Sequence, residues 1–253
     1  MENAVLTKRY TVIDCLRGLA VIAMIVYHTI WDLVYVHGVE VGDFAQYNMN
    51  RFVFQRLIRW SFILLSGFCF RIGKRRLRRG LTVLGCGVII TLVTMVVMPE
   101  FAIHHGVLTF MGAAMVLTIP VDKLFRHIPG WLGIGLCLLL FFITQHIGNG
   151  ILGIGKWSIL LPDGLYANYV TAFFGFPGLA FYSSDYVPLF PWLFGFWMGY
   201  FAYGCFEKWK LLRFLSCVRL KPLEWIGKNA LIIYMLHQPV IYGVLYLIFM
   251  FIK

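Results

Sequence analysis

The chain is predicted to be an all-α integral membrane protein, a polytopic bundle of about seven transmembrane helices with a re-entrant or interfacial outer segment. Three observations predict it. Hydrophobic residues fill 60% of the 253 positions and charged residues only 13%, where an average soluble domain is about a quarter charged. The apolar residues fall in runs of about 18 or more, enough helix to cross a hydrocarbon core of roughly 30 Å. The basic residues behind the formal charge of +11 gather in short segments between those runs, as membrane topology requires. That distribution makes the lipid bilayer the partner and argues against nucleic acid.

Seven runs read as spans: Val12–Val36, Phe52–Ile72, Leu81–Met98, Gly106–Val121, Gly130–Ile147, Val187–Phe206 and Lys228–Ile252. Together they form one transmembrane domain over residues 1–253, without internal repeat. The first run exceeds twenty residues and lacks a small-residue cleavage pattern, so it reads as a spanning helix rather than a cleavable signal. With the N-terminus in the cytoplasm, fifteen Lys and Arg fall on inside segments (Lys8 and Arg9; the cluster from Arg71 to Arg79; Lys123 and Arg126; Lys208 to Lys221). Only three, Arg51, Lys156 and Lys253, fall outside, so the bias places the C-terminus outside. The aromatic, glycine-rich segment Gly148–Tyr186 is then an outer roof. An eighth span through Tyr166–Tyr182 would invert the basic segment that follows. The six cysteines have no CxxC spacing and read as small buried hydrophobes.

The first run carries the chemistry. At about 100° per residue, with Asp14 as zero, Arg17 falls near −60°, His28 near −40° and Asp32 back at zero. All four lie on one face of an otherwise apolar helix. A charge at mid-bilayer costs about 2.5–3.5 kcal/mol even on lenient scales, so these groups face a partner or a wet cavity. Asp14 and Arg17 form either an interfacial salt bridge or part of a site. Asp32, one turn beyond His28, can fix an imidazole tautomer and raise its basicity, which makes His28 a candidate general base. On the second run Arg56 and Arg59 share a face, with Arg59 deep enough to need a carboxylate, Asp32 being one choice, or an anion. His237 lies mid-membrane on the last run, beside Gln238 and Pro239, with Lys228 and Asn229 at its start. His104, His105 and His37 lie on outer segments without a convincing acidic companion, so no metal is expected. The run Lys74–Arg79 sets topology and could dock a phosphate-bearing cofactor. Gly195 and Gly199 form a GxxxG step.

The motifs Arg9-x4-Asp14-x2-Arg17-Gly18 followed by His28, Phe62-x-Leu64-Leu65-Ser66-Gly67, Gly106-Val107-Leu108-x2-Met111-Gly112, Ser184-Asp185-Tyr186-x-Pro188-Leu189-x-Pro191-Trp192, and Gly227-Lys228-Asn229-Ala230-Leu231 with His237-Gln238-Pro239 run along nearly the whole chain. In that order they resemble the bacterial members of the heparan-alpha-glucosaminide N-acetyltransferase catalytic-domain family, a branch of the transmembrane acyltransferases. The resemblance implies a membrane acyltransferase that takes an acetyl or other short acyl group from cytosolic acetyl-CoA to an extracytoplasmic sugar or glycolipid, through a histidine acting as base or transient acetyl carrier. It places such a protein in a bacterial cytoplasmic membrane, with an envelope glycan as acceptor, and is compatible with a homo-oligomer.

The resemblance implies His28, Asp32 and His37 as catalytic candidates, and His237 is added by its mid-membrane position. Arg17, Ser66, Lys74, Arg75, Arg78, Lys228 and Asn229 are candidates for holding the donor. Arg56, Arg59, His105, Asp185 and Tyr186 are candidates for the acceptor. The lysosomal members are larger, and in them an asparagine stands at the place of His28 and the key histidine lies further along, nearest to His37 here. His28 and His37 both stay open, and Thr109 stands where bacterial relatives often have a histidine. A transporter or flippase using the intramembrane charges as its path is the alternative, and an accessory subunit of an envelope complex a third reading.

Overall fold

The computed structural model describes residues 10–40, 49–217 and 219–252. The basic residues Lys8, Arg9 and Lys253 used for topology lie outside the described residues. The helices are α1 (Thr11–Tyr35), α2 (Met49–Ile72), α3 (Arg76–Val97), α4 (Val107–Phe125), α5 (Gly130–Thr144), α6 (Tyr169–Phe174), α7 (Leu189–Lys208), α8 (Lys221–Lys228) and α9 (Ala230–Ile252), with one hairpin, β1 (Ile151–Ile154) and β2 (Trp157–Leu160). Among the described residues six helical segments are long and apolar enough to cross a membrane: Thr11–Tyr35, Met49–Ile72, Arg76–Val97, Val107–Phe125, Gly130–Asn149 and Ala230–Phe251. The chain is an all-α membrane protein.

The run Val187–Phe206 does become a helix, α7, but of a different character. Gly, Trp and Tyr dilute its apolarity, both its faces are largely buried, and its helical geometry breaks at Phe190. By contrast α3 buries only Gly80 and Gly87, and α5 only Gly133 and Cys137. Their outward Leu, Ile and Val side chains suit acyl chains rather than water.

The chain divides into two compact units, one of Met1–Phe62 with Phe206–Lys253, the other of Ile63–Cys205. In the first, α1 packs against α8 and α9. The α1–α8 crossing is built by reciprocal glycines. A Cβ on Gly18 would stand 2.2 Å from the Leu223 carbonyl oxygen, and one on Gly227 1.8 Å from that of Asp14. Small residues let helix backbones approach this closely. Helix α8 has Pro222 at its start and Glu224 in its first turn, with Lys228 in its last. Proline fits the first turn, and this charge order complements the helix dipole. The last predicted span therefore begins later than its apolar run suggests, at Ala230, after Asn229 ends α8.

In the second unit the same device recurs. A Cβ on Gly67 would lie 1.9 Å from the Phe196 oxygen, and one on Gly199 2.2 Å from the Leu64 oxygen. Gly199 of the predicted step is thus paired with Gly67 of α2. Helix α3 begins at Arg76, so Arg76, Arg78 and Arg79 lie in its first turn and Lys74 and Arg75 lead into it. Asp122 anchors that turn: it accepts from Arg76 Nη1 at 2.6 Å, from Arg126 Nε at 3.0 Å and from the Tyr200 hydroxyl at 2.7 Å.

The segment 148–186 holds the antiparallel hairpin, with Ile154 opposite Trp157 and Gly155 in the left-handed region at φ +55°. Helix α6 follows, six residues between an Asn168–Thr171 capping box and Gly175 at φ +118°. Six residues make about 9 Å of helix, too short to span.

Candidate functional site

In the first unit α1 and α9 bring four polar side chains together. The His28 and His237 rings stand 5.0 Å apart, centroid to centroid, at 58°. Tyr27 packs edge-on against His28 at 5.5 Å, and Tyr234 lies 5.3 Å from His237. His237 Nδ1 lies 2.5 Å from the Tyr234 carbonyl oxygen. A carbonyl only accepts, so Nδ1 carries the proton and Nε2 of the neutral ring is a bare lone pair. That Nε2 is buried and has no hydrogen-bond partner.

Next along the seam is Asp32, with 0% of its surface exposed. The helical period makes it the expected orienter of His28. Instead its Oδ1 accepts from Gln238 Nε2 at 2.8 Å, and its Oδ2 is buried without a partner. Arg59 does not supply that partner either, since no ion pair joins it to Asp32. Gln238 reaches Asp32 from the facing helix α9. His37 lies beyond the end of α1. Its backbone N–H bonds to the Asp32 carbonyl oxygen at 3.1 Å, and its ring stacks on Phe249 at 4.2 Å and 10°. The imidazole that meets another imidazole is thus His28, with His37 held apart against an aromatic face. Arg56 is exposed, its guanidinium 4.1 Å from the Phe52 ring, and Arg59 is half-buried.

Nearer the start of α1, Arg17 Nη1 reaches both Asp14 Oδ1 and the Gly227 carbonyl oxygen, each at 3.1 Å. A cation on the last carbonyls of α8 is favoured by the helix dipole. The Arg17-Gly18 and Gly227-Lys228 motifs are therefore two halves of one helix crossing. Lys228 Nζ bonds to Glu224 Oε2 at 3.3 Å, and Asn229 Nδ2 to the Trp225 carbonyl at 2.9 Å.

The second unit holds the remaining candidates. Lys74, Arg75 and Arg78 are exposed and Ser66 is half-buried. The three cations have the charge and reach that phosphates require. At the roof, His105 sits at φ +54°, donates Nε2–H to the Tyr169 carbonyl at 2.8 Å, and lies parallel to Phe181. Burial holds the His105 imidazole below the ordinary 6.5; the bond to Tyr169 opposes this and the neighbouring His104 adds to it. The Tyr186 hydroxyl donates to the Ala172 carbonyl, and burial pushes its pKa up. Asp185 is half-buried beside Gly106. Ser183 clasps His104 by accepting from its N–H at 3.0 Å and donating to its carbonyl at 2.8 Å. Sequence reasoning missed Gln238 as the Asp32 partner and Ser183 as this clasp. The hairpin had a signal, a Gly-Lys pair between β-formers, hidden by the segment's overall apolarity.

An apolar helical bundle with six helices fit to cross a membrane, two neighbouring histidines and a fully buried carboxylate on those helices defines an all-α membrane protein. Residues 9–239 match the family model described as heparan-alpha-glucosaminide N-acetyltransferase, catalytic, and the chain belongs to that family. The family is one of transferases, so membership supports a membrane acetyltransferase type of activity. No curated protein and no solved structure matches the chain.

Proposed function

We propose that the chain moves an acetyl or other short acyl group from cytosolic acetyl-CoA to a sugar or glycolipid outside the membrane, with the α1–α9 seam as its chemical centre. The observation that carries this is the His28–His237 pair with a bare, buried Nε2, in a chain of an acetyltransferase family. An imidazole with Nδ1–H fixed on a carbonyl is set to take a proton at Nε2. In the proposed step His237 Nε2, aided by His28, takes the proton of the acceptor hydroxyl or amine. The acceptor oxygen or nitrogen bonds to the acyl carbon, the carbon–sulfur bond breaks, and the departing thiolate takes that proton from His237, which returns to its neutral form. Exposed Lys74, Arg75 and Arg78 serve the donor's phosphates. Arg17, already bound to Asp14 and Gly227, holds α1 on α8.

Topology supports the direction of transfer. With α7 read as a seventh span, the proposed orientation has the N-terminus and the basic turns in the cytoplasm and the C-terminus and roof outside, in a single acyltransferase domain of a bacterial inner membrane. His105, Asp185 and Tyr186 then belong to the acceptor side, where the roof forms a re-entrant or interfacial cover. Proteoliposomes with acetyl-CoA outside and glucosamine trapped within test the reading. Acetylated glucosamine inside, formed without acetyl-CoA entry, is the expected result. Glucosamine crossing the membrane unmodified would favour a transporter.

A further inference from the structure

We propose that Gln238 is a positioning residue: it holds the Asp32 carboxylate so that the two side chains present free acceptor atoms to the donor groups of the acyl acceptor. This rests on the acyl-transfer reading above. A carboxylate only accepts, so the 2.8 Å contact with Asp32 Oδ1 fixes the Gln238 amide with its NH2 toward Asp32 and its Oε1 turned away. Gln238 Oε1 and Asp32 Oδ2 are both buried, and neither has a hydrogen-bond partner. His237 Nε2 is a third buried acceptor in the same state. Among the described residues no Lys or Arg pairs with Asp32; His37 is the ring whose charge acts on it, and its Nε2 is buried without a hydrogen-bond partner too, so it does not donate to Oδ2. Three acceptors without a donor, on two facing helices, are costly at bilayer depth. A hydroxyl- or amine-bearing group supplies what they lack. A phosphate or carboxylate, itself an acceptor, would be repelled. The seam therefore suits the acceptor end of the reaction rather than the charged end of the donor. Gln238 sets the geometry by locking Oδ1 and leaving the buried Oδ2 without a protein partner.

The test uses the purified full-length chain, thiol release from acetyl-CoA with glucosamine as the probe acceptor, and thermal melting of every variant. Gln238→Ala should lower kcat/KM for glucosamine about ten-fold or more and leave KM for acetyl-CoA within about two-fold. Gln238→Glu, which sets two carboxylates against each other, should be worse in rate and in Tm. The paired exchange Asp32→Asn with Gln238→Glu reverses donor and acceptor across the same gap. It should recover about ten-fold over Gln238→Glu alone and raise Tm toward wild type. Additive losses in both rate and Tm for the paired exchange would overturn the proposal, and so would Gln238→Ala acting on KM for acetyl-CoA instead. If the wild type releases no thiol, the acyl-transfer reading fails by itself. The melting cycle then decides the Asp32–Gln238 pairing, with additivity refuting it and coupling supporting it.

Discussion

Replacing Gly227 by alanine should open the α1–α8 crossing. The added Cβ would stand 1.8 Å from the Asp14 carbonyl oxygen and 3.0 Å from the Gly18 nitrogen. Both are backbone atoms of a helix and cannot rotate away. Ordinary contact begins near 3.4 Å, so the two backbones must separate by about 1.6 Å locally. Overpacking of this kind costs about 1–3 kcal/mol. The same separation stretches the 3.1 Å bond from Arg17 to the Gly227 carbonyl, and a charged hydrogen bond contributes about 1.5–3 kcal/mol. The two effects share one movement and will not add fully, so a loss of about 3 kcal/mol is expected. For a chain of this length that is a fall in Tm of roughly 6–12 °C, read by tryptophan fluorescence in detergent. Gly135→Ala on α5 is the control, since a Cβ there meets nothing within 4 Å, and it should be neutral or stabilising by up to about 1 kcal/mol. Equal melting of Gly227→Ala and wild type would refute the close-crossing argument.

Three further outcomes follow. Asp122→Ala should cost about 2–4 kcal/mol, because it strands Arg76 and the buried Tyr200 hydroxyl; Arg126→Ala should cost under about 1 kcal/mol, since that partner is largely exposed. Chemical denaturation of the two variants side by side checks the ranking. The roof should loosen in acid. Burial holds the His105 pKa below its ordinary 6.5, so the unfolded roof binds a proton first; stability is complete above 6.5 and is lost as the pH falls from there through the lower folded value. Hydrogen exchange of peptides around Tyr169 should accelerate over that window, and His105→Asn, whose side chain tolerates the left-handed φ, should flatten the response. Gly67→Ala should destabilise as Gly227→Ala does, by the same steric logic at a 1.9 Å approach, and the same melting assay reads it.

What the sequence made legible was decided by local chemistry. Apolar runs located α1, α2, α5 and α9 within about three residues and α3 and α4 within about five, because the bilayer length scale acts on each run independently of its neighbours. The polar stripe of α1 was legible for the same reason: Asp14, Arg17, His28 and Asp32 share a face by helical period alone. Their partners were not legible. Gln238, the Gly227 carbonyl and the facing His237 are more than 200 residues away in sequence, and only the packing of α8 and α9 on α1 brings them close. The break at Asn229 was hidden because Ala230 onward is apolar enough to absorb a start at Lys228. Several motifs that carried the resemblance turned out to hold helix crossings, with Gly18, Gly67 and Gly227 admitting backbone where a side chain would collide.

The His28–His237 pair is proposed to perform the proton transfer of an acyl-transfer reaction. Thiol release from acetyl-CoA by the purified chain tests it most directly. Wild type should turn over, and His237→Ala and His28→Ala should each fall by about 10²–10⁴-fold while binding acetyl-CoA and melting as wild type does. Turnover unchanged in both variants would contradict the claim.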